Sequence, residues 1–235
     1  MGKRLITQRR GRGTTTYSSP SHRYRAQVRH PKLREDPASG KVIDLVHCPG
    51  HSGPLAMVKF PDGEMNYMIA PEGIAVDDTV SVNTDEVKTG NCTILKHIPE
   101  GTLIYNIESQ PGDGGKFVRC TGLTAKVVAK QDNKIMVLLP SKKEKAFSPE
   151  CRANIGVIAG SGRTEKPLVK AGNRFRKMRA KNKLYPKVCG TSMNAVDHPY
   201  GTSRSSKKGR PTIARRHAPS GANVGKIKPR RTGKR

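Results

Sequence analysis

The feature that most constrains this chain is where its charge sits. Residues 1–35 hold 10 Lys and Arg against one acid, residues 36–166 hold 15 against 16, and residues 167–235 hold 20 against one. The formal excess of +27 therefore belongs wholly to the two ends. A middle this close to neutral buries apolar surface normally, whereas ends so rich in like charges repel themselves until a polyanion neutralises them. Only 34% of the 235 residues are hydrophobic, 4% are aromatic and Trp is absent, which argues against a single large core. A small folded middle with unfolded basic ends is expected. Merely solvated surface is the plain alternative for the basic runs, but both ends also carry turn residues and aromatics.

The opening MGKRLITQRRGRG contains no apolar stretch of signal-peptide length, and nothing elsewhere approaches ~18 uninterrupted apolar residues. A soluble intracellular protein is the expectation. Cys48, Cys92, Cys120, Cys151 and Cys189 are odd in number and form no C-x-x-C, so neither a disulfide framework nor a zinc ribbon is expected; they read as reduced and mostly buried.

The middle reads as short strands separated by turns. Lys41–His47, Leu55–Phe60, Glu64–Ala70 and Thr79–Val82 are bounded by Cys48-Pro49-Gly50, Pro61-Asp62-Gly63, Pro71-Glu72-Gly73 and Asp77-Asp78. A second run follows at Thr93–Ile98, Thr102–Ile107, Lys116–Thr121, Thr124–Lys130, Asn133–Leu139 and Cys151–Ile158. Helical periodicity is absent throughout, so two small barrels are expected, of a size that binds oligonucleotides.

Two motifs tempt other chemistry. QPGDGGKF, Gln110 to Phe117, has glycines before a lysine but neither the spacing of a phosphate loop nor a following helix, because FVRCTG continues as strand. A glycine-rich hairpin laid flat against nucleic acid is the better reading. His47, Cys48 and His51 resemble metal ligands, yet adjacent strand residues point to opposite faces and no second ligand pair stands near, so turn residues are the default.

In the N-terminal segment, QRRGRG (Gln8 to Gly13) and PSHRYRA (Pro20 to Ala26) pair arginines with glycine, which admits a close backbone, and with planar rings on which an unstacked base can rest. A localisation signal is compatible with the same residues. After Gly160-Ser161-Gly162 the chain is basic on nearly every side; a short helix is predicted over Lys170–Lys183, stable only against a neutralising partner. The stretch Gly190 to Gly201, GTSMNAVDHPYG, then presents His198 beside Asp197, the single acid of residues 167–235. That carboxylate is expected to brace a turn or the imidazole. Asp197 is not a distant orienting partner and no nucleophile is specified, so His198 is read as a hydrogen-bonding group rather than a catalytic base, and no enzymatic activity is expected.

Several strings together resemble one family, the large-subunit ribosomal protein L-two family in its archaeal and eukaryotic cytosolic form. They are QRRGRG, SHRYRA, APEG (Ala70 to Gly73), QPGDGGKF, CRANIGVIAG (Cys151 to Gly160), GRTEKPLVKAGN (Gly162 to Asn173), MNAVDHPYG (Met193 to Gly201), ARRHAPSG and VGKI. They occur in the family's order and cover nearly the whole chain. The resemblance implies a mostly β protein: a basic extension at 1–36, an oligonucleotide-binding (OB-like) barrel at 37–85, an SH3-like barrel at 88–165 and a basic extension with the His198 loop at 166–235. It further implies binding to large-subunit ribosomal RNA, contacts with neighbouring ribosomal proteins and with the small subunit, and support of subunit assembly and association, tRNA binding and the peptidyl-transferase region. A cytoplasmic place in the ribosome, away from membranes, is implied too. After Tyr200 this chain reads GTSRSSKK where many members continue with glycines.

The residues expected to meet RNA are Arg9, Arg10, Arg12, His22, Arg23, Tyr24 and Arg25 near the start, and Lys116 in the glycine-rich hairpin. Arg163, Lys166, Lys170, Asn173, Arg174, Arg176, Lys177 and Arg179 follow the second barrel. Met193, Asn194, His198 and Pro199 form the loop, and Arg204, Lys207, Lys208, Arg210, Arg215, Arg216 and Lys226 lie beyond it. No cofactor is expected, and any Mg2+ would be held through the RNA. Each Lys or Arg that neutralises a phosphate releases condensed counterions, with a salt slope of roughly −0.7 to −0.9 per contact. The competing readings are a free RNA-processing enzyme, which needs clustered acids where these are scattered, and a chromatin-type architectural binder, which does not call for two barrels.

Overall fold

The computed structural model describes residues 3–32, 36–201, 213–214, 216–218 and 224–225. The chain divides into two compact units: one spans Ser21–Pro167, and the other joins the two ends of the chain, up to Pro20 and from Leu168.

The Ser21–Pro167 unit contains ten strands: β1 Ala38–Val46, β2 Leu55–Lys59, β3 Met65–Ile69, β4 Thr79–Val82, β5 Cys92–Ile94, β6 Leu103–Tyr105, β7 Ala125–Gln131, β8 Lys134–Leu138, β9 Glu144–Phe147 and β10 Arg152–Ile155. They form one continuous hydrogen-bonded sheet in the order β3-β2-β1-β4-β5-β10-β6-β7-β8-β9. All pairings are antiparallel except that of β4 with β5, a single parallel register at Val82 and Cys92. Alternation decides which side chains turn inward: Val80 and Val82 of β4, and Ile135 and Val137 of β8, are buried between exposed or half-buried neighbours.

The sheet curls twice, each time around its own core. Val42, Val58, Phe60, Met68 and Val80 anchor the first barrel. Leu95, Ile98, Ile104, Val127, Ile135 and Phe147 anchor the second. A third cluster of Val28, Cys48, Leu55, Ile69, Tyr105 and Ile158 lies where they meet, and there the Tyr105 hydroxyl donates to Ile69 O at 3.0 Å. Bulges at Val42/Asp44 in β1 and Val127/Ala129 in β7 break the alternation, and Ile43 and Val128 are both left 40% exposed. The Pro61-Asp62-Gly63 turn forms as the sequence predicts, with Gly63 at φ +84° closing the β2–β3 hairpin.

Three details differ from the sequence reading. The strand expected at Lys116–Thr121 is reduced to one bridge between Ile107 and Phe117, because Val118 turns to φ 52° and Arg119 is drawn off to donate to Gly115 O and Val28 O. Strand β9 was hidden by its charged residues; it is an edge strand whose Phe147 alone is buried. The run after Ile94 continues as a 3-10 turn, Leu95–His97, instead of as strand.

In the unit formed by the chain ends, α1 spans Ile6–Gly11, where an unfolded basic end is expected from the sequence, and Leu5 beside it is buried. Helix α2 spans Ala171–Arg179, shorter than the predicted Lys170–Lys183. The chain reverses beyond it: Asn182 adopts φ 49° and Lys183 N–H donates back to Met178 O at 2.9 Å.

Candidate nucleic-acid interface

Helix α2 buries no residue. At about 100° per residue, Arg174, Arg176, Lys177 and Arg179 point in four different directions, so cations project around most of its circumference. Three of them, Arg176, Lys177 and Arg179, occupy the last turn, where the helix dipole favours positive charge, while the first turn has no acid to favour it at the other end. Arg174 Cζ lies 5.6 Å from the Tyr185 ring centroid, a cation–π contact. Asn173 uses one amide N–H at home, donating to Leu168 O at 3.0 Å. Lys166 and Lys170 before the helix are exposed.

The N-terminal segment is tied to these elements by backbone bonds. Asn182 Nδ2 donates to Ser18 O at 3.0 Å and to Thr15 O at 3.3 Å, and Lys3 N–H donates to Val196 O at 2.8 Å. The exposed Arg9, Arg10 and Arg12 thereby belong to the same unit as α2 and the His198 loop.

That loop is closed by local bonds. Asp197 and His198 N–H donate to Asn194 O, and Gly201 N–H donates to His198 O. Tyr200 N–H donates to His198 Nδ1 at 3.0 Å, which makes Nδ1 an acceptor and puts the proton of the neutral ring on Nε2. The imidazole lies directly over Gly190 Cα, where a Cβ would collide with the ring, and its centroid is 5.4 Å from that of Tyr200. Asp197 faces Lys3 Nζ at 4.0 Å. Met193, His198 and Pro199 are half-buried and Asn194 is exposed. Arg216 is exposed, whereas Arg204, Lys207, Lys208, Arg210, Arg215 and Lys226 lie outside the described residues.

In the Ser21–Pro167 unit, His22, Arg23 and Arg25 are exposed on and just after the 3-10 turn Ser21–Arg23. Tyr24 is half-buried, its ring against Gly50 Cα, so it anchors this segment to the β1–β2 connection. Burial acts to raise the Cys48 thiol, but backbone N–H groups of Arg25, Gly50, Ala26 and His51 bring it below its ordinary value. His51 Nδ1 lies 3.1 Å from the same sulfur. Arg163 is exposed and its Nε donates to Thr121 Oγ1 at 3.3 Å.

A buried polar node beneath the glycine-rich hairpin escaped sequence reasoning. The Glu108 carboxylate accepts from Gly112 and Gly114 N–H, from Arg152 N–H, and from the Arg152 guanidinium at 2.9 Å. Asp113 accepts from Ser109, Gln110 and Gly115 N–H. The backbone N–H groups of Gln110, Gly112, Gly114 and Gly115 thus point at carboxylates of this chain rather than at phosphate. Gly115, at φ +91°, passes so close to Asn106 that no side chain fits. Lys116 projects outward and is exposed.

His30 completes the node and fixes the chain around Arg29 and Pro31 to Asn106 and Cys92. Its Nε2 contacts Asn106 O at 2.7 Å and its Nδ1 contacts Cys92 Sγ at 3.2 Å. A carbonyl can only accept, so Nε2 carries the proton and Nδ1 accepts from the thiol. Burial, assisted by Arg152, lowers His30 to about 4, and burial pushes the Cys92 thiol up to about 12, so both stay neutral as this pairing requires. Burial opposes ionisation of Glu108, but the hydrogen bonds and charge of Arg152 hold its carboxyl below the ordinary value. Arg152 also donates to Pro31 O at 2.7 Å.

Two family models match the chain: Ribosomal Proteins L2, RNA binding N-terminal domain, over residues 3–82, and Ribosomal Proteins L2, C-terminal domain, over residues 88–222. The chain is 49% identical over 236 residues to large ribosomal subunit protein uL2 of Archaeoglobus fulgidus, covering 100% of both proteins. It is 51% identical over 240 residues to uL2 of Methanosphaera stadtmanae, again covering 100% of both. With uL2 of Haloarcula marismortui it shares 47% over 236 residues, covering 100% of this chain and 98% of that protein.

Proposed function

Because the chain belongs to the ribosomal protein L2 family, we propose that it works as a structural, RNA-binding component of the large ribosomal subunit, with its basic ends threaded into ribosomal RNA. The observation that carries this reading is the make-up of the unit formed by the chain ends. There a helix with no buried residue carries four cations, Arg9, Arg10 and Arg12 are exposed, and Asp197 is the single acid of residues 167–235. Such a surface gains stability by exchanging counterions for phosphates.

The division of labour follows from charge. The segment 1–36 and the segment 166–235 act as RNA-binding extensions, and the OB-like barrel at 37–85 and the SH3-like barrel at 88–165 fix where those extensions begin. All the basic and loop residues expected from the sequence, from Arg9 to Lys226, are assigned to RNA contact. His198, whose Nδ1 accepts from Tyr200 N–H, is assigned to hydrogen bonding within RNA and given no role as a base. Support of subunit assembly and association, tRNA binding and the peptidyl-transferase region, and contacts with neighbouring proteins and the small subunit, belong to the same reading, and no catalytic step is assigned to the chain.

The test is sedimentation of the tagged full-length protein from its own cells. Co-migration with large subunits after a high-salt wash is expected. Recovery chiefly in free fractions, or on small subunits, overturns the reading.

A further inference from the structure

Residues 70–103 carry six acids, Glu72, Asp77, Asp78, Asp85, Glu86 and Glu100, against Lys88 and Lys96, a reversal of sign in a chain of +27. Two adjoining depressions open on this stretch, of about 380 and 430 Å3, with Glu72 and Thr89 in the walls of both. Val80 and Ile155 are buried beneath them, and Val87 and Leu103 stand 49% and 40% exposed along the second. The walls are held by the backbone: Glu72 N–H donates to Val157 O, Gly90 N–H to Ile155 O and Gly156 N–H to Leu103 O, each at 2.8–2.9 Å. The groove is therefore shaped before anything enters it.

Its charge is only partly answered from within. Asp77 pairs with Lys41 Nζ at 2.8 Å, Asp85 meets His97, and Asp78 accepts from Ala75 N–H. Among the described residues, Glu72 and Asp78 are the acids of the lining, Glu72 has no ion-pair partner, and Lys88 is the cation. Carboxylates at the rim disfavour phosphate and favour a cationic partner. Exposed Val and Leu beside carboxylates match instead a peptide that offers an apolar side chain flanked by cations.

We propose that this acidic, apolar-floored groove between the two barrels docks an extended, Lys- and Arg-bearing segment of a neighbouring ribosomal protein. The segment lays one aliphatic or aromatic side chain on Val87 and Leu103 and sets its cations against Glu72 and Asp78. This rests on the ribosomal reading above.

The experiment places a benzophenone-bearing amino acid at Val87 of the full-length protein, purifies large subunits from cells that carry it, irradiates them and identifies the cross-linked peptide. A Lys/Arg-rich stretch of another large-subunit protein is expected. In a Glu72→Lys/Asp78→Lys background the yield of that cross-link drops about tenfold, because rim charges of this kind act on encounter and pairing. Cross-linking to ribosomal RNA, to a second copy of this chain or to no polymer overturns the proposal, as does a yield indifferent to the charge reversal. Absence of the protein from large subunits removes the premise and sinks the functional reading with it. Presence in subunits with the wrong cross-link sinks the groove alone, and the partner seen with native charges decides this even if the double variant does not fold.

Discussion

Lowering the pH should loosen this protein through His30 well before its carboxylates titrate. The imidazole is buried, donates to Asn106 O, accepts from Cys92 Sγ and faces the cations of Arg152 and Arg119, with Glu108 as the opposing charge. It is held at about 4 in the fold against an ordinary 6.5. Its contribution is therefore complete above 6.5; below that value the unfolded chain takes up a proton that the folded chain refuses, and stability falls. Between pH 7.5 and pH 5 the loss is about 2 kcal/mol, taking the two values as they stand. Urea unfolding of the full chain, followed by circular dichroism across this range, measures it. The control is His30→Leu, expected to be weaker at neutral pH by about 1–3 kcal/mol because Asn106 O and the Cys92 thiol lose their partner. Its pH dependence over the same range should be flatter by about 2 kcal/mol. The lowered His51 contributes with the same sign in both proteins and cancels in the difference. Equal slopes in the two proteins, or a wild type that gains stability on acidification, would refute the reasoning.

Replacing Glu108 with Ala strands the Arg152 guanidinium, only 7% exposed, and should cost about 3–5 kcal/mol in chemical denaturation, with faster amide exchange at Gly112 and Gly114. An unchanged unfolding midpoint would count against the node. Gly190→Ala puts a methyl where the His198 ring lies and should move the ring's NMR resonances and weaken RNA binding; unaltered resonances contradict the packing described. Neutralising Arg174, Arg176, Lys177 and Arg179 together to Gln should make the salt slope of RNA binding shallower by about 3, at roughly 0.7 per phosphate contact, in filter binding. A slope that stays put removes α2 from the interface.

Much of the barrel pair is legible in local sequence because its turns are marked by Pro and Gly and its strands alternate. Pro61-Asp62-Gly63 closes a hairpin as expected, and Thr79–Val82 forms a strand with the predicted limits. What escaped depends on partners far along the chain. Glu108 meets Arg152 across 44 residues and His30 meets Asn106 across 76, so no window of periodicity could assign Gln110 to Gly115 inward-facing donors. The same distant pull on Arg119, toward Val28 O 91 residues away, explains why Lys116–Thr121 looks like a strand and is not one. Strand β9 failed for the opposite reason: on an edge, one buried Phe suffices and the charged remainder hides the alternation. In the ends, composition revealed the cations, whereas the seating of His198 over Gly190 required coordinates.

The bonds from Asn182 to Thr15 and Ser18 span 167 and 164 residues, and Lys3 waits for Val196. During translation of this chain the first arginine cluster emerges long before those partners exist, while all ten strands are already available once Pro167 has been made. Through most of its own synthesis the arginine-bearing beginning therefore travels without these clasps, which among the described residues come from the last third of the polypeptide.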